Sequence, residues 1–597
     1  MFRHARSASL LSIVLALPAL GQGDPAVIAK IVKEGKENNQ VWNHLEYLSH
    51  EIGTRLTGST RLEIANKWTM SKFEEWGLTN CHLQQWGEIP IRFDRGPSHF
   101  KVLRPFAEEI AFTTRSWTAG TNGPVRGQVI RQPQTRQQLE AVRDKLAGAW
   151  ILTPPRTRGG VVPVGEEPIV GDELAAVLKE AGIAGYITVS RNDLVITSGS
   201  WRNLEWDNLP TEVSVMITRT DYDRFNSRLA DGEEVEVEIN ADNKFVQGPF
   251  PLYNTIAEIR GTEKPDEVII VSAHLDTWDG PGSMGTQDNG TGSSVTLEAA
   301  RILMAAGAQP KRTIRFILWT GEEQGLLGSR AYVNSLSDEE KARISACLVD
   351  DGGTNYQGGL VCIEPMAEML RQAVAPVNAA FPDMPVRIRV VERMPRGGGS
   401  DHASFNAVGI PGFFWDEIGS GGREGKNYQF IHHTQHDTPR YAVPEYLVQS
   451  SVSTAITAYN LACADTLLPR QPADVAAAPG EERPRGGAGG RGPFEPVDGP
   501  VSGTWKAQFT SPAGAATALT MAIEMAADGR VRGSVTSEIG TNPIERGFFN
   551  PETGDLRFTI TFNGSPVTFN GKVDGRNMKG TMGLEGVFSS EFTATKE

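Results

Sequence analysis

Four runs of β-branched and other apolar residues, each leading into carboxylates or an imidazole, set the strongest limit on what this chain can fold into. They read EVIIVSAHLD (residues 267–276), TIRFILWTGEE (313–323), ACLVDDGG (346–353) and GIPGFFWDE (409–417). Strands so uniformly apolar are those buried on both faces. The amphipathic helix pattern SSVTLEAARILMAAG lies between the first two, and LVQSSVSTAITAYNLA closes the region. Strands alternating with helices predict an α/β unit with a mostly parallel central sheet flanked by helices. Open sheets of this kind place their ligands beyond the strand ends, where the polar residues collect here.

The rest of the chain divides around that region. Its 597 residues correspond to about three to five domains at roughly 100–200 residues each. Arg3, His4 and Arg6 precede an apolar run over residues 10–20, which is too short to span a membrane and reads as a signal peptide over 1–22. Residues 23–120 carry helical spacings and form the first piece of the main unit. Short strand-like runs around the helical stretch DELAAVLKEAGI mark an inserted α/β module over 121–245. The main unit resumes over 246–467. Residues 468–497 are rich in Pro, Gly and Arg and read as a disordered linker. Residues 498–597 predict a small all-β barrel or sandwich, with turn signals at Asp528-Gly529, Asn563-Gly564, Asn570-Gly571 and Asp574-Gly575.

Charge narrows the function. With 58 basic and 72 acidic side chains the net charge is −14, which argues against a nucleic-acid partner, since that needs a basic face. The four cysteines form no CxxC pair; Cys347–Cys362 is one of several pairings export would permit.

The chemistry gathers at the strand ends. His274 and Asp276 close one strand; Gln287-Asp288-Asn289-Gly290 makes a turn before a helix; Glu322-Glu323 and Asp350-Asp351 follow two further strands; and FIHHTQHDT brings His432, His433 and His436 together. Singly, each has an ordinary explanation: Asp288 can cap the helix, and an acidic pair can be a solvated loop. Jointly, imidazoles and carboxylates without thiolates suit zinc, and less often manganese or cobalt. A shared carboxylate is what two adjacent cations need, and an unligated Glu beside them serves as general base.

HLDT, QDNGTG, WTGEEQGLLGS, DDGGT, SDHASF and HHTxxDT, in this order, resemble the co-catalytic zinc exopeptidases of the aminopeptidase Y, carboxypeptidase Q and glutamate carboxypeptidase family. The resemblance covers residues 52–464, including the GTRLTGS turn, and makes the insertion a protease-associated (PA) module; the C-terminal β-domain lies outside it. It implies a zinc metallopeptidase holding two zinc ions per chain. His274, Asp288 and Asp351 would bind one, and Asp288, Glu323 and His433 the other, with Asp288 bridging across a cis Asp288–Asn289 peptide. Glu322 would be the general base, and Asp276 would orient His274 through its second ring nitrogen. Asp351 is chosen over Asp350, and His433 over its neighbours, by the spacing of DDGGT and HTxxDT. One departure stands out: His432 occupies the position where glutamate carboxypeptidases have Tyr, so either His432 or Tyr428 is expected to donate to the oxyanion. Asp401 and His402 would line or support the site.

The expected function is an exported, periplasmic or extracellular, carboxypeptidase Q-like exopeptidase acting on small peptides without a membrane span, and a homodimer is admitted. Alternatives are an aminopeptidase of the same family, a receptor-like protein without activity, and a single-zinc glutaminyl cyclase. Asp416 and Glu417 could hold a substrate ammonium; Arg393, Arg396 and Arg423 could hold a terminal carboxylate.

Overall fold

In the computed structural model the apolar runs form a six-stranded sheet, ordered Thr79–Arg95, Asn243–Ile259, Arg312–Trp319, Lys264–His274, Ile344–Val349, Gly412–Phe414. The last four are mutually parallel; the first two add an antiparallel edge. The structure describes residues 22–155, 166–169, 171–395, 397–419 and 421–471 in one unit, and 496–510, 516–526, 529–537, 540–551, 553–562, 565–584 and 588–597 in a second. The expected export signal and most of the expected linker therefore lie outside the described residues, as do Asp528, Asn563 and Gly564.

Both faces of the parallel strands are covered. Ile269, Val271, Ala273, Ile314, Phe316 and Leu318 point into one core, against the helices Gly290–Ala305 and Pro444–Cys463. Val268, Ile270, Ile317, Trp319, Cys347 and Val349 point into the other, against Leu327–Ser335 and His402–Ala407. That two-sided burial is why these strands read as unbroken apolar runs. All four cysteines are free thiols, so Cys347 and Cys362 are not bridged.

The helical reading of residues 24–120 holds only as far as Glu75. Helices Pro25–Glu37, Val41–Glu46 and Thr60–Glu75 are followed by the seventeen-residue strand Thr79–Arg95. As an edge strand it has one neighbour, and its alternation surfaces only at Ile89, Ile91 and Phe93, so the sequence carries little strand period. Pro90 falls at a register shift, where a missing N–H costs no ladder bond.

The chain leaves this sheet at Arg95 and returns at Asn243, paired residues at the tip of the antiparallel arm. Between them an eight-stranded mixed sheet includes Val125–Arg131, Trp150–Leu152, Gly185–Val189, Ser214–Ile217 and Glu236–Asn240, the runs expected of the insertion. It also takes up His99–Arg104, ahead of residue 121. Helix Gly171–Glu180 covers it, as DELAAVLKEAGI predicts.

The second unit is a closed barrel. Eight antiparallel strands from Gly503–Thr510 to Phe588–Lys596 follow one another, and the last pairs with the first. Trp505, Met521, Leu556, Phe558, Phe569 and Phe592 fill it. Gly575 supplies the expected turn between Asp574 and Asn577. Asn570-Gly571 does not turn the chain: it lies inside a strand, where Gly571 faces Gly580 and lets two backbones approach closely.

Candidate metal centre

His274 ends its strand with no exposed surface. Its Nε2 faces Asp351 Oδ1 at 3.1 Å and Asp288 Oδ1 at 3.3 Å. Asp288 precedes the helix Gly290–Ala305 through a cis peptide to Asn289. Its other oxygen, Oδ2, is buried and accepts no hydrogen bond among the described residues. His433 Nε2 approaches that oxygen to 3.1 Å and His432 Nε2 to 3.6 Å, and His433 Nε2 stands 3.0 Å from Glu323 Oε2. Two donor groups thus share Asp288: one with His274 and Asp351, the other with His432 and His433. Buried carboxylate oxygens and imidazole nitrogens turned toward each other, with one oxygen unbonded, fit a pair of divalent cations.

The electrostatics agree with that fit. Burial would raise Asp288, yet the His274 and His433 rings hold it well below the carboxylate range. Burial pushes Glu323 up to about 7, with Asp288 adding to the effect and His433 opposing it. Burial also drives Glu322 well above its usual range; His274 opposes this, while Asp351, Asp401 and Glu323 reinforce it. Burial would lower His433, but Glu323 and Asp288 carry it up to about 11.

The neighbouring residues separate the alternatives left by sequence. The helix is capped by Asn289, whose Oδ1 accepts from Gly292 N at 2.9 Å and whose Nδ2 donates to the Asp350 carbonyl at 2.7 Å, so Asp288 is not the cap. Asp350 Oδ2 accepts from Gln357 Nε2 at 2.7 Å, leaving Asp351 to face His274. Asp276 acts differently from the expectation. Its backbone carbonyl, not its carboxylate, accepts from His274 Nδ1 at 2.9 Å; the nearest carboxylate oxygen is 3.8 Å away. That carboxylate accepts instead from Thr57 Oγ1 and from the backbone N–H of Glu322 and Glu323. Asp276 therefore ties the His274 strand end to the turn carrying both glutamates. Those glutamates occupy a turn rather than an extended segment, and both line the cavity.

Two supporting residues escaped the sequence reading. Arg55, in the GTRLTGS turn, is fully buried and donates to the carbonyls of Leu275 (2.8 Å), Gly285 (2.7 Å), Gly53 (2.9 Å) and Leu48 (3.2 Å). Burial lowers its guanidinium to about 10. It pins the segments after His274 and before Asp288. Asp437 accepts from Gln287 N at 2.6 Å, which holds the same turn from the other side. An arginine flanked by glycines was the available signal for the first; backbone partners leave none of their own.

The centre forms the floor of a cavity of about 760 Å³, whose wall includes Leu326, His402, Phe414 and Tyr428. Tyr428 stacks on His432, and burial with nearby carboxylates holds its hydroxyl protonated well above the usual range. Asp401 is buried behind the site, and burial raises it to about 7. Asp416 lines the cavity, whereas Glu417 is bonded to the backbone of Gly353 and Thr354. Arg423 lies over the Trp42 ring, and neither it nor Arg393 is among the described residues of the cavity wall; Arg396 lies outside the described residues. Among the described residues the wall arginines are Arg330 and Arg389, which the sequence reading did not single out.

Residues 254–456 match the model of peptidase family M28. That region, about a third of the chain, is similar to peptidase family M28. The chain is an enzyme, a peptidase. Carboxypeptidase Q of Mus musculus is 27% identical over 446 residues, spanning 74% of this chain and 90% of that protein. An aminopeptidase of Pseudomonas aeruginosa is 45% identical over 135 residues, or 22% of this chain and 24% of its own length. A crystal structure of a peptidase M28 precursor from Shewanella amazonensis superposes with a TM-score of 0.51 at 22% identity, covering 75% of this chain and 98% of that one, and so shares the fold. Among the described residues no helix is long and apolar enough to cross a membrane.

Proposed function

We propose that this protein is a member of peptidase family M28 and an exported dinuclear zinc exopeptidase of small peptides. The observation that supports it best is the shared, buried Asp288 between two imidazole-bearing donor groups. His274, Asp288 and Asp351 would hold one zinc; Asp288, His433 and Glu323 the other, with His432 beside it. Bound there, the metals would polarise the scissile carbonyl and bring the attacking water's pKa toward about 7. Glu322, on the cavity floor without a ligand's position, takes the proton from that water and returns it to the leaving amine. Tyr428 or His432 donates to the developing oxyanion from the opposite wall. Asp276 keeps Glu322 aimed through its backbone N–H. The insertion serves as a PA-type module that braces the His433 loop, and the negatively charged chain works without nucleic acid or membrane insertion.

Glu322→Gln and chelation test the reading together. The variant should lose about 10²–10⁴ in kcat while binding two zinc equivalents by elemental analysis, and chelation should abolish hydrolysis reversibly. Full activity in either case would overturn it.

A further inference from the structure

Which end of a peptide this cavity takes depends on the charges that are left over once the centre is assembled. Among the described residues its carboxylates are engaged. Asp288, Asp351 and Glu323 face imidazoles. Asp416 stands 3.5 Å from Arg389. Glu417, a candidate for an ammonium, is half-buried and spends both oxygens on Gly353 and Thr354. Only Glu322 remains, and it is needed for the chemistry.

The positive side differs. From the Glu322-Glu323 turn the wall runs through Gly325 and Leu326 to Arg330, on the helix Leu327–Ser335. Arg330 follows Leu326 by four residues, so the two stand on one face, both toward the cavity. Arg330 is exposed, and among the described residues its guanidinium has no hydrogen bond or ion pair. A planar, permanently charged fork without a partner matches a carboxylate in two parallel bonds.

We propose that Arg330 binds the free C-terminal carboxylate of the peptide, so that the enzyme selects substrates by that terminus. This rests on the exopeptidase reading above. The peptide lies with its last residue toward Leu326 and Arg330 and its final amide over Glu322. The ammonium end needs no anchor, so N-acylated peptides are accepted.

The test uses the full-length zinc-loaded enzyme, Arg330→Gln and Arg330→Lys, and three substrates: an N-acetyl dipeptide acid, its C-terminal amide, and the unacetylated dipeptide amide. The wild type should favour the acetylated acid. Arg330→Gln should lower kcat/KM on that acid about ten- to a hundredfold, chiefly through KM, and Arg330→Lys should restore part of it. The slow reaction of the acetylated amide should be unchanged by either substitution, as should zinc content. A wild type that prefers the unacetylated amide would overturn the assignment. So would an Arg330→Gln variant whose activity is unchanged, or falls equally on acid and amide. If the wild type cleaves none of the three, the exopeptidase reading itself fails.

Discussion

His274 stands at the end of a central parallel strand, enclosed on all sides, its ring held by a carbonyl two residues along. His433 faces the same bridging aspartate from a loop after a one-turn helix, with a 27% exposed side chain and a left-handed backbone at φ +57°. The first arm is fixed by the burial that stabilises the sheet. The second borrows its support from the insertion. Thr197 donates to the His433 carbonyl through its N–H (2.8 Å) and its hydroxyl (3.1 Å). Ile196 bridges Thr434, and Val195 N–H donates to Gln435 at 2.9 Å. Arg202 reaches the Gln324 carbonyl, next to the glutamate turn. The inserted module thus holds catalytic loops that the sheet does not reach.

The largest expected contrast comes from removing each imidazole. His274→Ala leaves buried Asp351 and one oxygen of Asp288 without their partner and should destabilise the fold by about 3–5 kcal/mol, with loss of both zinc ions. His433→Ala, at the open arm, should abolish activity while keeping about one zinc and a Tm near the wild type. Elemental analysis with scanning calorimetry would decide; equal losses of Tm would erase the distinction between the arms.

A smaller effect isolates the insertion. Thr197→Val keeps the shape and the backbone bond but removes the hydroxyl, worth about 0.5–1.5 kcal/mol. The expected result is a two- to tenfold weaker zinc affinity at the loop arm, seen in competition with a chelating dye, and a similar loss in kcat. No change in affinity would make the insertion's contact incidental.

What sequence could show follows the same division. The buried arm was legible because strands covered on both faces are uniformly apolar, so His274, Asp288, Glu323 and Asp351 stand out at their ends. His433 was placed by a spacing pattern, and nothing in its neighbourhood announced Thr197, more than two hundred residues away in the chain. The family resemblance assigned Asp276 to His274, yet its carboxylate turned to the Glu322-Glu323 backbone, a partner created by folding. Among the described residues the Arg55 guanidinium bonds only to carbonyls, and Arg330 joins the cavity wall only once its helix docks. The edge strand Thr79–Arg95 and the in-strand Asn570-Gly571 failed for a related reason: one-sided pairing and close backbone approach override local patterns.

The smallest effect sharpens the buried arm through pH. Glu417 braces the Gly353-Thr354 backbone just after Asp351, and burial, with Asp350 adding, raises its carboxyl to about 8 from an ordinary 4.5. The folded state therefore holds this proton more tightly than the unfolded state. Below about pH 4.5 the group costs nothing; between 4.5 and 8 the unfolded chain ionises first, and stability falls by at most about 1.4 kcal/mol per pH unit; above 8 the cost is complete. Glu417→Gln cannot ionise, so its Tm should gain on the wild type's steadily from pH 5 to 8 and run parallel beyond. A constant Tm difference across that window would mean that Glu417 is already ionised in the folded protein, and that the turn behind Asp351 is held by charge instead of by a neutral acid.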